Sequence, residues 1–284
     1  MSVEINPFWA MLSDQLVLVA VLAYLGAMLG YAVELAFRPV SIRASEPSTL
    51  ALAHGRDRRA GLAAVILLVA GWAANLGAVL ARGLAAARWP WGNMYEFVVA
   101  ICLAMVTAFL LLRARSLGAF VAGAAALGLG YAVLSLQIET APVMPALNTY
   151  WIAIHVSAAV IASGLFMVAA LAGAVALARR RGELAHLAHR AILIGFPIWT
   201  FAVIAGAMWA DKAWGRYWGW DPKEIWAFIT WIGYAAYLHA YATAGWRGRN
   251  ATIVQLAAFV ALLFNLIGVN LWIPGLHSYA DVPT

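Results

Sequence analysis

The sequence predicts an all-α integral membrane protein with about eight transmembrane helices. Of its 284 residues, 65% are hydrophobic and only 11% are charged, whereas about a quarter of the residues in an ordinary soluble domain are charged. Long apolar stretches rich in Ala, Leu and Gly recur between short polar breaks. Each is close to the roughly 20 residues that a helix needs to cross a bilayer. The alternating pattern of a membrane barrel strand is absent, so we expect helices throughout.

Each predicted helix is an apolar stretch bounded by polar residues. The first follows Glu4 and Asp14 rather than basic residues, so we expect it to be retained and not cleaved as a secretory signal. No internal repeat, low-complexity stretch or long linker separates the helices, so residues 1–284 are expected to form a single membrane domain. The predicted helices cover residues 16–37, 61–81, 93–112, 117–136, 150–177, 191–210, 225–245 and 251–272.

Basic residues mark the cytoplasmic breaks between these helices. Thirteen of the 18 lie after the first, third, fifth and seventh helices, and the positive-inside rule places those breaks in the cytoplasm. Both termini are then expected outside the cytoplasm, in a cytoplasmic (inner) or thylakoid-type membrane. This placement accounts for the net charge of +6, so we expect contact with membrane lipid and no nucleic-acid partner. The thirteen are Arg38, Arg43, Arg56, Arg58, Arg59, Arg113, Arg115, Arg179, Arg180, Arg181, Arg190, Arg247 and Arg249.

Tryptophan is concentrated around the break between the sixth and seventh helices, which covers residues 211–224. Six of the fourteen tryptophans lie within 23 residues there, and the topology makes this loop extracytoplasmic. An aromatic belt at the membrane interface is one explanation. A binding platform is the other, because Lys212, Arg216 and Lys223 add positive charge to a flat apolar surface. Such a surface suits a large planar amphiphile with acidic edges.

Two histidines are predicted on the same face as this loop. His155 lies about 8 Å into the fifth helix at 1.5 Å per residue, and His277 follows the eighth helix. Haem iron takes neutral imidazoles as axial ligands, so a pair beside an aromatic platform favours haem ligation over two structural roles. The histidines His54, His186 and His189 fall in Arg-rich cytoplasmic loops and are expected to be ordinary solvated side chains.

His239 is predicted inside the bilayer, about 21 Å from the outer end of the seventh helix. An ionisable residue at that depth is usually functional, although packing against a hydroxyl group of a neighbouring helix is the alternative. As a haem ligand it needs a histidine from a second subunit, since no other histidine of the chain is expected at that depth. Glu34 and Glu96 lie near helix ends and are expected to reach the membrane interface.

The segment 214–231 resembles the tryptophan-rich WWD signature of the CcsA/ResC cytochrome c synthase family. It reads WGRYWGWDPKEIWAFITW, with Gly219 and Ile225 where Ser and Thr are common. The resemblance spans residues 90–279, while the first two helices agree with the family only in position and character. Further segments agree in the same order, namely Pro90–Phe97, Trp151–Val156, Tyr237–His239 and Gly275–Tyr279.

The resemblance implies that the protein carries haem outward and presents it for covalent attachment to the CxxCH motif of apocytochrome c. His155 and His277 match the two external haem ligands of the family. His239 matches its intramembrane ligand, whose mate belongs to a CcsB/ResB-like membrane subunit. This chain lacks that part, so it is expected to act as a haem lyase only with the partner, and thiol-reducing proteins are implied indirectly.

The expected chemistry joins two cysteine thiols of the apocytochrome to the vinyl groups of haem b. The chain supplies no nucleophile, and its one cysteine, Cys102, lies in an apolar stretch and excludes a CxxC centre. We expect five residues beside the histidines to contact haem, namely Trp214, Trp218, Trp220, Asp221 and Trp226.

Two other functions remain open. The CcmC and CcmF proteins of another maturation route carry a similar loop between external histidines, although the DPKEIW continuation and the helix count favour CcsA. A b-type electron-transfer protein is the alternative from a different class, and it predicts haem held permanently at a bis-histidine site within one chain.

Overall fold

The computed structural model describes residues 5–37, 47–141, 149–179 and 182–277. Within residues 47–58, which include His54, Arg56 and Arg58, only the backbone is described. Several positions used above therefore lie outside the described residues. They are Glu4 of the secretory-signal argument, Arg38, Arg43, Arg180 and Arg181 of the topology argument, and Ser278 and Tyr279 of the family resemblance.

The described part of the chain is helical and contains no β-strand, which confirms the all-α prediction. Its helices are α1 (Pro7–Ala36), α2 (Pro47–Ala86), α3 (Met94–Leu112), α4 (Gly118–Tyr131), α5 (Tyr150–Arg179), α6 (Gly182–Trp214), α7 (Pro222–Ala242), α8 (Arg249–Leu263) and α9 (Val269–Trp272). A short 3-10 turn precedes α4. Wide π-helical turns follow α4 and α8, and the second of these, Phe264–Gly268, joins α8 to α9.

Helix α1 begins at Pro7 rather than at residue 16. The side-chain oxygen of Asn6 accepts hydrogen bonds from the backbone N–H groups of Phe8 and Trp9, at 3.1 and 3.4 Å. Asn is a strong N-cap, and proline fits the first helical position because its N–H would be unpaired there. The cap therefore sets the start of the helix, whereas the prediction used only the apolar stretch.

Within the described residues, seven helical spans are long and apolar enough to cross a membrane, and α7 is the helix that falls short. Its first turn carries Lys223 and Glu224. Yet α7 lies alongside α6 over its length, since Trp199 donates to the Ala227 carbonyl near one end and His189 stacks on Tyr241 near the other. At 1.5 Å per residue its 21 residues extend about 31 Å. The membrane fold is confirmed, and the side on which the termini lie stays a prediction.

Helix α6 is longer than expected, and it contains two of the histidines that were assigned to a solvated loop. His189 stacks on Tyr241 with ring centroids 3.6 Å apart, and its Nδ1 lies 3.1 Å from the hydroxyl of Tyr237. His186 lies 3.3 Å from the Tyr241 hydroxyl. The loop assignment is wrong because residues 183–190 are mostly strong helix formers, which extend the helix beyond its apolar part.

Glu96 is buried and paired, so the expectation that it reaches the interface is wrong. Its carboxylate accepts hydrogen bonds from Arg82 Nε at 3.2 Å, Arg88 Nη1 at 2.8 Å and the Gly92 N–H at 2.7 Å. Glu34 is also buried and pairs with Arg115 at 3.0 Å. A buried carboxylate is stable only with such partners. The cluster around Glu96 fixes the chain just before α3, which contributes to the cavity described below.

Helices α3 and α5 pack closely at a glycine. A Cβ atom on Gly164 would lie 2.6 Å from the backbone carbon of Ala104 and 2.7 Å from the nitrogen of Met105. Small residues at such contacts allow helix backbones in membranes to approach each other. The close approach brings α5, which carries His155, against α3.

We expect Gly164→Ala to destabilise the protein by about 1–3 kcal/mol, because the added methyl group meets backbone that cannot turn aside. The measurement is thermal unfolding in detergent. The matched control is Gly130→Ala in α4, where nothing lies within 4 Å of the added carbon, and alanine favours a helix by up to about 1 kcal/mol. Equal melting temperatures for the two variants would contradict the α3–α5 packing.

Candidate functional site

A cavity lies at the end of the helix bundle where residues 215–221 join α6 to α7, which we call the loop end. Helices α3, α5, α6, α7 and α9 contribute to its wall, and most of that wall is apolar or aromatic. The polar side chains on the wall include His155, Lys223, Glu224, Asn265, Asn270 and His277. The two histidines predicted to form a pair therefore line one cavity.

His155 projects from the first part of α5 toward α6. Its Nδ1 lies 2.7 Å from the backbone carbonyl oxygen of Ala202. A carbonyl only accepts, so Nδ1 carries the proton and the neutral ring keeps its lone pair on Nε2. A Cβ atom on Gly206 would lie 2.7 Å from Cε1 of His155. The glycine is what allows α6 to approach the imidazole this closely.

His277 has the same tautomer for a similar reason. Its Nδ1 lies 2.7 Å from Oδ2 of Asp221, and a carboxylate accepts the Nδ1 proton, which leaves the lone pair on Nε2. Histidine ligands of metals commonly donate their other ring N–H to a carboxylate or a backbone carbonyl. Both histidines show this arrangement, one with each kind of acceptor.

Asp221 is the N-cap of α7 and also holds the chain that follows α9. Its carboxylate accepts from the N–H of Leu276 at 2.7 Å and from that of Lys223 at 3.2 Å. Glu224 completes a capping box by accepting from the N–H groups of Asp221 and Gly219. Burial raises the pKa of Asp221, but the hydrogen bonds from His277 and the backbone outweigh it, and the pKa lies below its ordinary value. Asp221 is therefore ionised at neutral pH.

Two tryptophans of α6 surround the histidines. The Trp209 ring lies parallel to the His155 ring, with an interplanar angle of 7° and ring centroids 6.3 Å apart. The centroid of the Trp209 ring is 5.7 Å from that of the His277 ring. The centroid of the Trp214 ring lies 4.8 Å from that of Trp209 and 5.0 Å from that of His277. Trp209 was not predicted as a site residue. The sequence feature that could have identified it is its position at the start of the tryptophan cluster, one to two helical turns before Trp214.

The other predicted tryptophans differ in their placement. Trp218 lines the cavity. Trp220 lies outside it, is 65% exposed, and packs edge-on against Trp218 at a centroid distance of 5.7 Å. Trp226 packs against Phe264 at 4.2 Å, between α7 and the turn after α8. The residues of α7 that line the cavity, Lys223, Glu224 and Ala227, lie on one face of the helix. Trp226 points about 100° away from the middle of that face, around the helix axis. The structure therefore does not bring Trp226 into the cavity.

The loop itself is shorter than the predicted segment 211–224, because α6 continues to Trp214 and α7 starts at Pro222. Trp220 has a φ of 58°, in the left-handed region, which non-glycine residues seldom adopt. Such backbone conformations are held in place by surrounding contacts. Here the capping box of Asp221 provides those contacts immediately after Trp220.

His239 lies far from this cavity. It is exposed and occupies the last turn of α7, about 25 Å along the helix from Pro222. This is closer to the opposite helix end than predicted, because α7 starts at Pro222 rather than residue 225 and ends at Ala242 rather than residue 245. Its role as a haem ligand stays a prediction.

Comparison with known proteins identifies the family. The family model for the cytochrome c assembly protein matches residues 91–277, well over half of the chain. The cytochrome c biogenesis protein CcsA of Chlamydomonas reinhardtii is 35% identical over 224 residues, which cover 71% of this chain and 64% of that protein. This chain belongs to the CcsA family. A CcsA protein of Synechococcus sp. (strain CC9902) is 32% identical over 268 residues, covering 78% of this chain and 88% of that protein.

A solved structure of the cytochrome c heme lyase CcmF has the same fold. Its TM-score is 0.66 at 22% identity, and the match covers 91% of this chain and 47% of that chain. At that identity the likeness concerns the fold alone. The match to the cytochrome c assembly protein model begins at Trp91 and ends at His277, and both residues line the cavity. The helices α1 and α2 precede the matched region, in agreement with the weaker resemblance of that part.

We expect Asp221→Asn to loosen the chain around Leu276 while α7 remains capped, because Asn is a good N-cap but a neutral acceptor. Hydrogen bonds to charged groups contribute about 1.5–3 kcal/mol, so amide exchange at residues 273–277 should accelerate by roughly tenfold or more. Hydrogen–deuterium exchange with mass spectrometry measures this, with Asp211→Asn as the control. Asp211 pairs with the exposed Lys212, next to it in the chain. Unchanged protection in Asp221→Asn would contradict the tether.

The pH dependence follows from the lowered pKa of Asp221. A carboxyl group with a lowered pKa stabilises the fold above its unfolded value of about 3.9, and this stabilisation is lost as the pH falls through the folded pKa. Protection of residues 273–277, corrected for intrinsic exchange, should therefore persist at pH 5 and disappear only below the ordinary carboxyl range. Loss of protection already between pH 7 and 5 would contradict this assignment.

Proposed function

We propose that this protein binds haem between His155 and His277 and presents it for attachment to apocytochrome c. The observation that carries the proposal is the matched tautomer of the two histidines. Each ring donates Nδ1–H to a fixed acceptor and keeps its lone pair on Nε2, which is the form that ligates iron. Membership of the CcsA family, whose named relatives act in cytochrome c biogenesis, supports the same function.

The aromatic surroundings suit a flat ligand. Trp209, Trp214 and Trp218 line the cavity together with the histidines, and aromatic side chains provide large rigid apolar surfaces for stacking. No group of three or more His, Cys, Asp or Glu residues able to hold a bare metal ion occurs among the described residues. Two protein ligands are what haem iron needs, because the porphyrin supplies the other four nitrogens.

The reaction in this proposal is the addition of cysteine thiols to the haem vinyl groups. Each thiol of a CxxCH motif adds its sulfur to one vinyl carbon and its proton to the other, so that a thioether forms without an added oxidant or reductant. The chain contributes by positioning haem relative to the cysteine thiols, since holding two reactants in a productive geometry accounts for much of the acceleration in such reactions. Neither histidine needs to transfer a proton in this scheme.

His239 provides the link to a second subunit in this proposal. Its side chain is exposed at the end of α7 opposite the loop end, where a histidine of a CcsB/ResB-like partner completes a bis-histidine site. Haem then passes from that shared site to the cavity. The proposal places the cavity on the extracytoplasmic side, where the apocytochrome cysteines are kept reduced by other proteins.

We expect His155→Ala and His277→Ala each to reduce the yield of holocytochrome c to background in cells that also make the partner, because each variant removes one axial ligand. Added imidazole should restore part of the yield by replacing the missing ring. The control is His186→Ala, which changes an exposed histidine at the opposite end of α6. A normal yield in the double variant, with membrane levels equal to wild type, would contradict the ligand assignment.

A separate test addresses His239. In the complex with the partner subunit, His239→Ala should lower the haem content of the cavity, measured by pyridine haemochrome assay. His239→Asn should fail in the same way if the imidazole ligates iron, because an amide ligates iron poorly. A structural histidine would instead tolerate Asn, which keeps its hydrogen-bonding capacity. Restored haem delivery in His239→Asn would therefore remove His239 from the haem route.

A further inference from the structure

One lysine on the cavity wall lacks a carboxylate partner. Lys223 lies in the first turn of α7 and is partly buried. Its Nζ donates to Oδ1 of Asn270 at 2.8 Å. Among the described residues, no carboxylate oxygen lies within salt-bridge distance of that nitrogen. The amine of Lys223 therefore has no bonded carboxylate in a mostly apolar cavity, where burial lowers its pKa to about 7 while the charge of Asp221 favours the ammonium form.

Asn270, which bonds Lys223 in the described part of the chain, is itself fixed. The side-chain nitrogen of Asn270 donates to the carbonyl oxygen of Leu266 at 2.6 Å and lies 3.3 Å from the sulfur of Met94. These contacts turn the amide oxygen of Asn270 toward Lys223, since an amide nitrogen cannot accept the ammonium proton. The ammonium is thus held at a defined position by a neutral group that leaves its charge intact.

The two carboxylates nearest in sequence are committed elsewhere. Glu224 accepts from the N–H groups of Gly219 and Asp221, and Asp221 accepts from His277 and Leu276. A partly buried charge without a counterion is unfavourable unless a ligand supplies the opposite charge. This arrangement is what a site for an anionic group on a bound ligand requires.

The structure distinguishes Lys223 from the two other cations of the tryptophan-rich segment. Lys212 is exposed and pairs with Asp211 at 3.2 Å. The guanidinium group of Arg216 lies over Gly219, where a Cβ atom would meet it. Neither residue lines the cavity among the described residues, whereas Lys223 shares the wall with both histidines.

We propose that Lys223 binds a propionate carboxylate of haem and thereby sets the rotation of the porphyrin in its plane. The proposal rests on the proposed function of His155 and His277. Two axial ligands fix the iron and the axis through it, but they leave the ring to rotate about that axis. A cation placed to one side removes this freedom. Lys223 is then the residue that decides which edge of the ring, and so which vinyl groups, face the apocytochrome.

The test compares two ligands and needs no variant for its first step. Haem b carries two propionates, and haem dimethyl ester has the same ring with both charges removed. We expect the full-length protein in detergent to bind haem at least about tenfold more tightly than the ester, the usual effect of a hydrogen bond to a charged group. Absorption titration measures both affinities. Equal affinities would overturn the proposal.

The variants identify the residue responsible. Lys223→Gln keeps a donor for Asn270 but removes the charge, so it should lose roughly tenfold in haem affinity and leave ester affinity unchanged. Lys223→Arg should retain the preference for haem, and Lys212→Gln should behave as wild type. An equal loss for both ligands in Lys223→Gln would show that Lys223 only joins α7 to α9, which overturns the proposal.

Failure of this proposal is distinguishable from failure of the proposed function. If haem spectra still depend on His155 and His277 while the preference over the ester is absent, the histidine site stands and the role of Lys223 is excluded. If haem binds equally in the absence of both histidines, the proposed function itself is wrong.

Discussion

The carboxylate of Asp221 is the interaction on which the site depends. It joins three parts of the chain: the end of the loop, the first turn of α7 and the segment after α9. That last segment has left the helix, and the hydrogen bonds to Asp221 help to fix its position. His277 belongs to it and receives both its place and its tautomer from the same carboxylate. One ionised side chain therefore starts a helix and orients an imidazole.

Two glycines also support the histidines, because the absence of a side chain at each allows a close contact with His155 or with Asp221. Gly206 allows α6 to lie against the His155 ring, and a Cβ atom on Gly275 would lie 2.8 Å from Oδ1 of Asp221. One histidine is thus held by a backbone carbonyl beside a glycine, and the other by a carboxylate beside a glycine. Close approach of this kind is the usual reason for glycine at a position where its backbone freedom is not needed.

The sequence was sufficient for the fold class and for the contents of the site, but not for the direction of each side chain. Apolar length and charge predict the helices, and the chain order alone brings His155, His277 and the loop to one end of the bundle. Trp226 lies outside the cavity and Trp209 was not predicted to line it, because the rotation of a helix against its neighbours depends on packing. The burial of Glu96 was missed for a related reason, since Arg82 and Arg88 reach it only through the turn between α2 and α3, which apolar length does not predict.

The wide turn at Phe264–Gly268 carries one residue more than an ordinary helical turn. Every residue after it is rotated by about 100° relative to an uninterrupted helix, and Asn270 reaches Lys223 with that rotation in place. A homologue that lacks a single residue here could have the same amino-acid sequence in its final helix, and yet a different side chain of that helix would face the cavity. Gaps of one residue in this turn therefore deserve separate treatment when sequences of this family are aligned, because identity downstream of the gap does not imply an equivalent orientation.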